Sequence, residues 1–140
     1  YAKFEKCIFS VTKIEFLGYI ISDTGIKMDS KQILSIDTWP TPTNVKTLQS
    51  FLGFTNFYRM FISKYSSIIV MMLLLLKKNQ PFIWSEECQR AFRKLKQAFK
   101  TANLIHHPDS SCPFIVKSDV SDFAIGGILS QEHNGVIVRN

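Results

Sequence analysis

The chain has 140 residues, 46% of them hydrophobic, a formal net charge of +6 and a pI near 9.3. That is the size of one ordinary domain, or of two small ones sharing a core, with enough apolar material to exclude a disordered chain. The basic surplus favours a polyanionic partner, which composition alone leaves open between nucleic acid, an acidic protein and a membrane surface.

Residues 4–26 read as strands. Cys7-Ile8-Phe9, Val11 and Ile14 to Ile21 are rich in β-branched and aromatic residues and end in the turn sequence Ser22-Asp23-Thr24-Gly25. Gly18 inside such a strand points to a bulge or a close backbone approach, and Ile26-Lys27-Met28 can return as a short partner. Asp29 or Ser30 then caps a short helix over Lys31–Thr38, stopped by Trp39-Pro40-Thr41-Pro42. A second helix starts at Thr43 or Asn44. Its apolar stripe is Val45, Leu48, Leu52, Thr55 and Phe61, widened by Phe51, Phe54, Phe57 and Tyr58. Gly53 costs about 1 kcal/mol against Ala in mid-helix, which predicts close packing there.

The third predicted helix, Ser66–Lys78, contains nine consecutive apolar residues from Ile68 to Leu76. A membrane span needs roughly 20, so the segment reads as a helix buried all round, with Lys77 and Lys78 at its C-terminus. Phe82-Ile83-Trp84 is extended. Ser85 caps a fourth helix, with Glu86 and Glu87 in its first turn. Ala91, Phe92, Leu95, Ala98 and Phe99 are its buried stripe, and Arg90, Arg93, Lys94, Lys96 and Lys100 a solvated basic face. After the loop around 105–112, where a domain boundary is expected, the pattern returns to strands. These are 114–120, 122–131, packed closely against a neighbour, and 136–138 after an Asn134-Gly135 hairpin turn. The predicted class is α+β, with a β-hairpin, a helical middle and a second β-hairpin.

Three places could carry chemistry. Lys46, Arg59 and Lys64, beside Phe57, Tyr58 and Tyr65, could follow a phosphate backbone; taken alone, the same pattern is an ordinary amphipathic helix. Asp119, in Ser118-Asp119-Val120-Ser121-Asp122, could hold a divalent metal if further carboxylates converged on it. Asp122 is three residues away, on the opposite face of a strand, and reads as the start of a turn. Taken alone, a single strand aspartate is a surface or turn residue. Beyond these, Glu132 is the remaining acidic candidate. His106-His107 lacks a third ligand and reads as a loop. The cysteines, Cys7, Cys88 and Cys112, are odd in number and widely spaced, which fits reduced thiols in an intracellular protein, cytoplasmic or nuclear. Opening on Tyr1, with charges where a signal peptide needs an apolar run, the chain reads as a piece of something longer.

The order of the motifs says more than any one of them. Lys6-Cys7-x-Phe9, Glu15-Phe16-Leu17-Gly18-Tyr19-Ile20-Ile21-Ser22, Gly25-Ile26-Lys27 and Trp39-Pro40-Thr41-Pro42 follow in sequence. Then come Val45 to Ile62, Phe82-x-Trp84-Ser85-Glu86-Glu87-Cys88-Gln89-x-Ala91-Phe92, and Ser118 to Gln131. This series resembles the reverse transcriptase of gypsy-type LTR retrotransposons, in the Pol polyprotein, over essentially the whole chain.

The resemblance implies four parts: 1–28 as the end of the palm, 29–78 as thumb helices, 79–112 as a connection, and 113–140 as the start of an RNase H-like domain. Phe16, Leu17, Gly18 and Tyr19 would be the primer-grip hairpin. Lys46, Gln49, Asn56, Tyr58, Arg59 and Lys64 would face an RNA–DNA hybrid or DNA duplex. Asp119 would match the family's first RNase H metal ligand, serving Mg2+ in the parent enzyme. The family's polymerase aspartates fall before Tyr1 and its other RNase H carboxylates after Asn140. Two-metal cleavage needs several carboxylates to hold cations about 3.5–4 Å apart, so the chain is expected not to polymerise or cleave alone. The rest of the Pol polyprotein is the expected protein partner, and no membrane. Met60, Val70-Met71-Met72-Leu73 and Val120 depart from the family pattern, which fits a decayed or domesticated copy. Two other readings stay open: a domesticated non-enzymatic binder of nucleic acid or protein, and a poorly folding remnant with an apolar patch exposed at 68–76.

Overall fold

A computed structural model describes residues 3–102, 104–121, 124–133 and 136–139. The fold is α+β, in two compact units: Tyr1–Lys27 together with Leu104–Asn140, and Met28–Asn103.

In the first unit, β1 (Lys13–Phe16) and β2 (Tyr19–Ser22) pair antiparallel, with Phe16 opposite Tyr19 and Lys13 opposite Ser22. Gly18 is therefore half of a two-residue turn, and the bulge expected from the strand pattern is not there. Leu17 and Gly18 have φ of 50° and 77°. Two successive left-handed residues match the right-handed twist of the flanking strands. Glycine adopts this freely, whereas a leucine there costs roughly 1–2 kcal/mol. β3 (Gly25–Met28) completes a sheet of order β1-β2-β3.

The strand expected over Cys7–Phe9 and Val11 is absent; a 3-10 turn, Phe4–Lys6, precedes irregular chain. Ile8 and Phe9 are exposed. β propensity reflects fit to a pleated, half-buried surface, and none covers these residues among the described ones.

Residue 105 closes against the third strand. Ile26 N–H donates to Ile105 O at 2.8 Å, and Ile105 N–H donates back to Ile26 O at 2.9 Å. Gly25 has φ of 142°, and a Cβ on it would overlap the Ile105 carbonyl. His107 Nε2 lies 2.7 Å from Ser22 O; a carbonyl only accepts, so Nε2 carries the proton.

The second sheet of this unit runs β4 (Phe114–Ser121), β5 (Ala124–His133), β6 (Val136–Arg139), antiparallel throughout. Its three strands are the three that the sequence predicts in this stretch. The expected turn at Asn134-Gly135 and the expected turn residue Asp122 lie outside the described residues. Gln131 is fully buried in β5. Its amide accepts from Asp109 N–H (2.8 Å) and donates to Asp109 O (2.6 Å) and Cys112 O (3.0 Å). Loop 109–112 is thereby tied to the strand with the amide's burial cost offset.

The helical unit is set by its caps. Asp29 accepts from Lys31 N–H (3.1 Å) before α1 (Ser30–Asp37). Asn44 and Thr47 form a capping box before α2 (Val45–Phe57). Ser85 Oγ accepts from Cys88 N–H (3.3 Å) at the start of α4 (Glu86–Lys100). α2 ends sooner than its apolar stripe predicts, so Phe61 is buried from a 3-10 turn, Arg59–Phe61. α3 is Tyr65–Leu74, not 66–78, which leaves Lys77 and Lys78 beyond the helix.

The core gathers Ile36, Leu48, Phe51, Met72, Leu95 and Phe99. Phe51 packs on Phe92 at 4.7 Å, with Trp39 and Trp84 edge-on to the pair. Two expectations fail here. α3 is not buried all round: Tyr65, Ile68, Ile69 and Met72 face in, while Val70 and Leu73 are 48% and 43% exposed, because one flank packs on α4 and no described element covers the other. Lys96 is not on the solvated face. Its ammonium donates to the carbonyls of Asp37 (2.9 Å) and Trp39 (2.5 Å) and sits 4.5 Å over the Phe92 ring. Burial pulls its pKa below the usual lysine range, against the opposing pull of Asp37.

Two stability changes follow, both measured by urea unfolding of the purified chain. Gly25→Ala should destabilise by on the order of 2 kcal/mol, through the clash with Ile105 and the positive φ; a loss below about 0.5 kcal/mol would show that the contact yields. Leu17→Asn should stabilise by up to about 1 kcal/mol, because asparagine tolerates the left-handed region better.

Candidate nucleic-acid interface

A helix repeats every 3.6 residues, so positions i, i+3, i+7 and i+10 share a face. On α2 these are Lys46, Gln49, Gly53 and Asn56, and all four are exposed. The opposite side, Leu48, Phe51, Leu52 and Thr55, is buried. A single amphipathic helix thus separates core from a basic and amide-bearing surface. At its C-terminal end Arg59 Nη1 donates to Asn56 Oδ1 at 3.4 Å, which links the guanidinium to the stripe.

Gly53 does not do what its sequence position predicts. A Cβ added there would meet nothing within 4 Å, so no packing among the described residues requires glycine, although the residue weakens the helix by about 1 kcal/mol. The bare backbone lines a shallow groove of about 240 Å³ with Leu52, Asn56, Tyr65, Ile69 and Leu73. The groove floor is rigid: Tyr65 Oη lies 2.9 Å from Thr55 Oγ1, both buried, joining α3 to α2. Burial raises the Tyr65 phenol above its ordinary pKa, with the Thr55 hydrogen bond and Arg59 pulling the other way. It is a neutral strut at physiological pH.

Not every expected contact residue reaches the surface. Tyr58 is 4% exposed, its ring packed against Phe54 and Phe57 at 5.4 and 4.9 Å. It is a core residue; its neighbour Phe57, half-exposed, carries the aromatic surface instead. Lys64 is exposed and stands in the left-handed region (φ 54°) just before α3. The hairpin residues Phe16 and Leu17 are exposed at the tip of the β1–β2 turn, and Gly18 and Tyr19 are half-buried. Burial raises the Tyr19 phenol pKa. The hairpin belongs to the other compact unit from the α2 face.

Sequence reasoning misses Gly53 as a surface element, and it places Phe57 both in the apolar stripe and beside the basic residues. The available signal is the i, i+4, i+8 run Gln49, Gly53, Phe57, which shares the α2 face but reads as packing in a stripe so rich in aromatic residues.

Asp119 lies in β4 opposite Gly126; its carboxylate is outside what the structure describes. Glu132 sits six residues further along β5, opposite Ile137, roughly 20 Å away along the ladder. These two cannot share a metal, and among the described residues no group of three His, Cys, Asp or Glu side chains could hold one. The described residues therefore do not fit a two-metal centre. His106 and His107 stay in the loop, with His107 bonded to Ser22 as above. Among the described residues no helix is long and apolar enough to cross a membrane.

Residues 84–138 match the RNase H-like domain found in reverse transcriptase, a match that begins ahead of α4. The chain is 38% identical over 131 residues to the retrovirus-related Pol polyprotein from transposon 412 of Drosophila melanogaster, covering 94% of this chain and 11% of that protein. It is 36% identical to the Pol polyprotein from transposon opus of the same fly, covering 94% and 14%. The transposon Tf2-3 polyprotein of Schizosaccharomyces pombe is 34% identical, at 92% and 10%. The chain thus spans about a tenth of the length of these relatives. Among solved structures, the foamy viral protease-reverse transcriptase in complex with RNA/DNA hybrid is 26% identical, with a TM-score of 0.70 over 91% of this chain and 18% of that one. The dRH form in complex with double-stranded DNA gives 27% and 0.68, over 85% and 21%. The chain is a homologue of retrotransposon Pol polyproteins and carries sequence of the RNase H-like domain found in reverse transcriptase.

Proposed function

We propose that this chain is the duplex-contacting segment of a retroelement reverse transcriptase/RNase H, and that it has no catalytic activity by itself. The observation that carries the reading is the face of α2, where glycine stands at a point that no packing among the described residues requires. A bare helix backbone between Gln49 and Asn56 lets a strand approach closely, with amides placed to hydrogen-bond to sugars or base edges. Lys46, Arg59 and Lys64 would neutralise phosphates at its ends. That related structures hold double-stranded DNA and an RNA/DNA hybrid supports the same reading.

In this reading 1–28 is the palm end with the hairpin at Phe16–Tyr19 as primer grip, 29–78 the thumb, 79–112 the connection and 113–140 the opening of the RNase H-like domain. Asp119 would be one ligand of a magnesium site completed by carboxylates elsewhere in a longer protein. The rest of a Pol polyprotein would cover the exposed side of α3, at Val70, Leu73 and Leu74. That same apolar side favours, as a second reading, a domesticated chain that binds a protein and catalyses nothing.

The test is fluorescence anisotropy of the purified chain with a labelled RNA–DNA hybrid across a potassium chloride series. Affinity should fall linearly on a log–log plot, and the combined change Lys46→Gln, Arg59→Gln and Lys64→Gln should flatten the slope by roughly 1 for each phosphate no longer neutralised. Absence of binding at low salt would sink the proposal. Gly53→Leu separates the roles further: it should raise stability by up to about 1 kcal/mol, as a better helix former in open space, yet weaken hybrid binding about tenfold, or 1.4 kcal/mol. A packing role for Gly53 would give the opposite pair.

A further inference from the structure

One side of the β1-β2-β3 sheet forms a cavity of about 340 Å³ lined by Lys13, Ile20, Ser22, Thr24, Lys27 and Leu104. It is built rather than incidental. Lys13 lies directly opposite Ser22 in the strand register. Leu104 adjoins the Ile26–Ile105 backbone pair, which exists because Gly25 has no side chain to obstruct it. His107, bonded to Ser22 O, holds the same edge.

The chemistry of the lining is one-sided. Lys13 and Lys27 both line the cavity, and neither makes an ion pair among the described residues. The nearby acids, Glu15 two residues along β1 and Asp23 in the turn, are not among the lining residues. Ser22 Oγ lies 2.9 Å from Thr24 Oγ1 and 3.2 Å from Gly25 O. When the Ser22 proton points to the Gly25 carbonyl, Thr24 must donate to Ser22. When Ser22 donates to Thr24 instead, the Thr24 proton is released toward the cavity. An arriving oxyanion would select the second arrangement, gaining a neutral donor beside two cations. The volume is at the lower end of ligand pockets, about 300–1,000 Å³, which suits a single anionic group presented from outside rather than an enclosed molecule.

The geometry points to a phosphate-binding subsite here, made of residues distinct from those of the α2 face. Two sources can present that phosphate. One is a nucleic-acid backbone, in which case the inference rests on the duplex-binding reading above; the other is a free polyphosphate. Lysines act on phosphate as compact point charges, and two of them converging with a hydroxyl can hold one group without a bidentate arginine.

The experiment is a pair of amide-resolved NMR titrations of the full 140-residue chain at low salt, one with the RNA–DNA hybrid and one with tripolyphosphate. They are repeated on the double variant Lys13→Gln, Lys27→Gln. Both substitutions are at exposed positions, and an unchanged amide spectrum elsewhere verifies the fold. With hybrid, the amides of Ser22, Thr24, Gly25 and Lys27 should shift, the double variant should abolish those shifts, and the anisotropy salt slope should flatten by about 1. If those amides stay still and the slope is unchanged while hybrid still binds through α2, the subsite is overturned and the duplex reading survives. If the wild type binds no hybrid, the duplex reading fails, and tripolyphosphate decides the subsite. Shifts that vanish in the double variant then support a free-polyphosphate site, and no shifts overturn it.

Discussion

Ile105 and Gly25 meet through their backbones at a point where any side chain would intrude. Two reciprocal hydrogen bonds between Ile26 and Ile105 bring residues more than seventy positions apart into one ladder step, and the absence of a Cβ on Gly25 makes that approach possible. The consequences spread along the chain. Residues 104–107 become part of the first sheet's edge, and His107 reaches Ser22. The first and last segments share a compact unit, while everything between them folds on its own helical core. A single small residue thereby decides which parts of the chain are neighbours.

The helical unit depends on a different kind of constraint. Its four helices are short, and isolated helices of such lengths are marginal in water. Side-chain caps at Asp29, Asn44 and Ser85 fix where three of them start. The Phe51–Phe92 contact, with two tryptophans at its edges, supplies the buried surface that holds them together. Lys96 shows how a basic residue borders such a core: its ammonium sits over the Phe92 ring and donates to the carbonyls of Asp37 and Trp39. The cost of dehydrating the ammonium is offset by those bonds, and the α2 surface rests on a firm base.

What the chain leaves uncovered is as informative as what it buries. A polar and basic stripe on α2 adjoins a groove with a glycine floor, and the outer side of α3 is apolar. The first suits a hydrated, charged partner; the second suits a protein surface. The chain spans about a tenth of the Pol polyproteins that it resembles. Catalysis is another matter. Asp119 and Glu132 lie far apart along the second sheet, and among the described residues no three potential ligands come together.

Local rules make much of the fold legible in the sequence. Capping residues, apolar periodicity and turn chemistry are decided within a few positions, so the helices beginning at Ser30, Val45 and Glu86 and the strands of the second sheet can be read almost residue by residue. The order of motifs likewise carries the family. Burial cannot be read that way. Tyr58 and Lys96 look like surface groups from spacing alone, and Ile8 and Phe9 look like a strand, because what they touch comes from distant residues or is not present to touch. Gly18 and Gly53 look like packing devices, but one makes a turn and the other leaves a backbone bare. Sequence by itself determined the elements and their kinship, since both follow from neighbours along the chain. Tertiary structure alone decided which residues face solvent, which of them line one cavity and which carboxylates stay apart, since those depend on contacts that close only when Gly25 meets Ile105 and Phe51 meets Phe92.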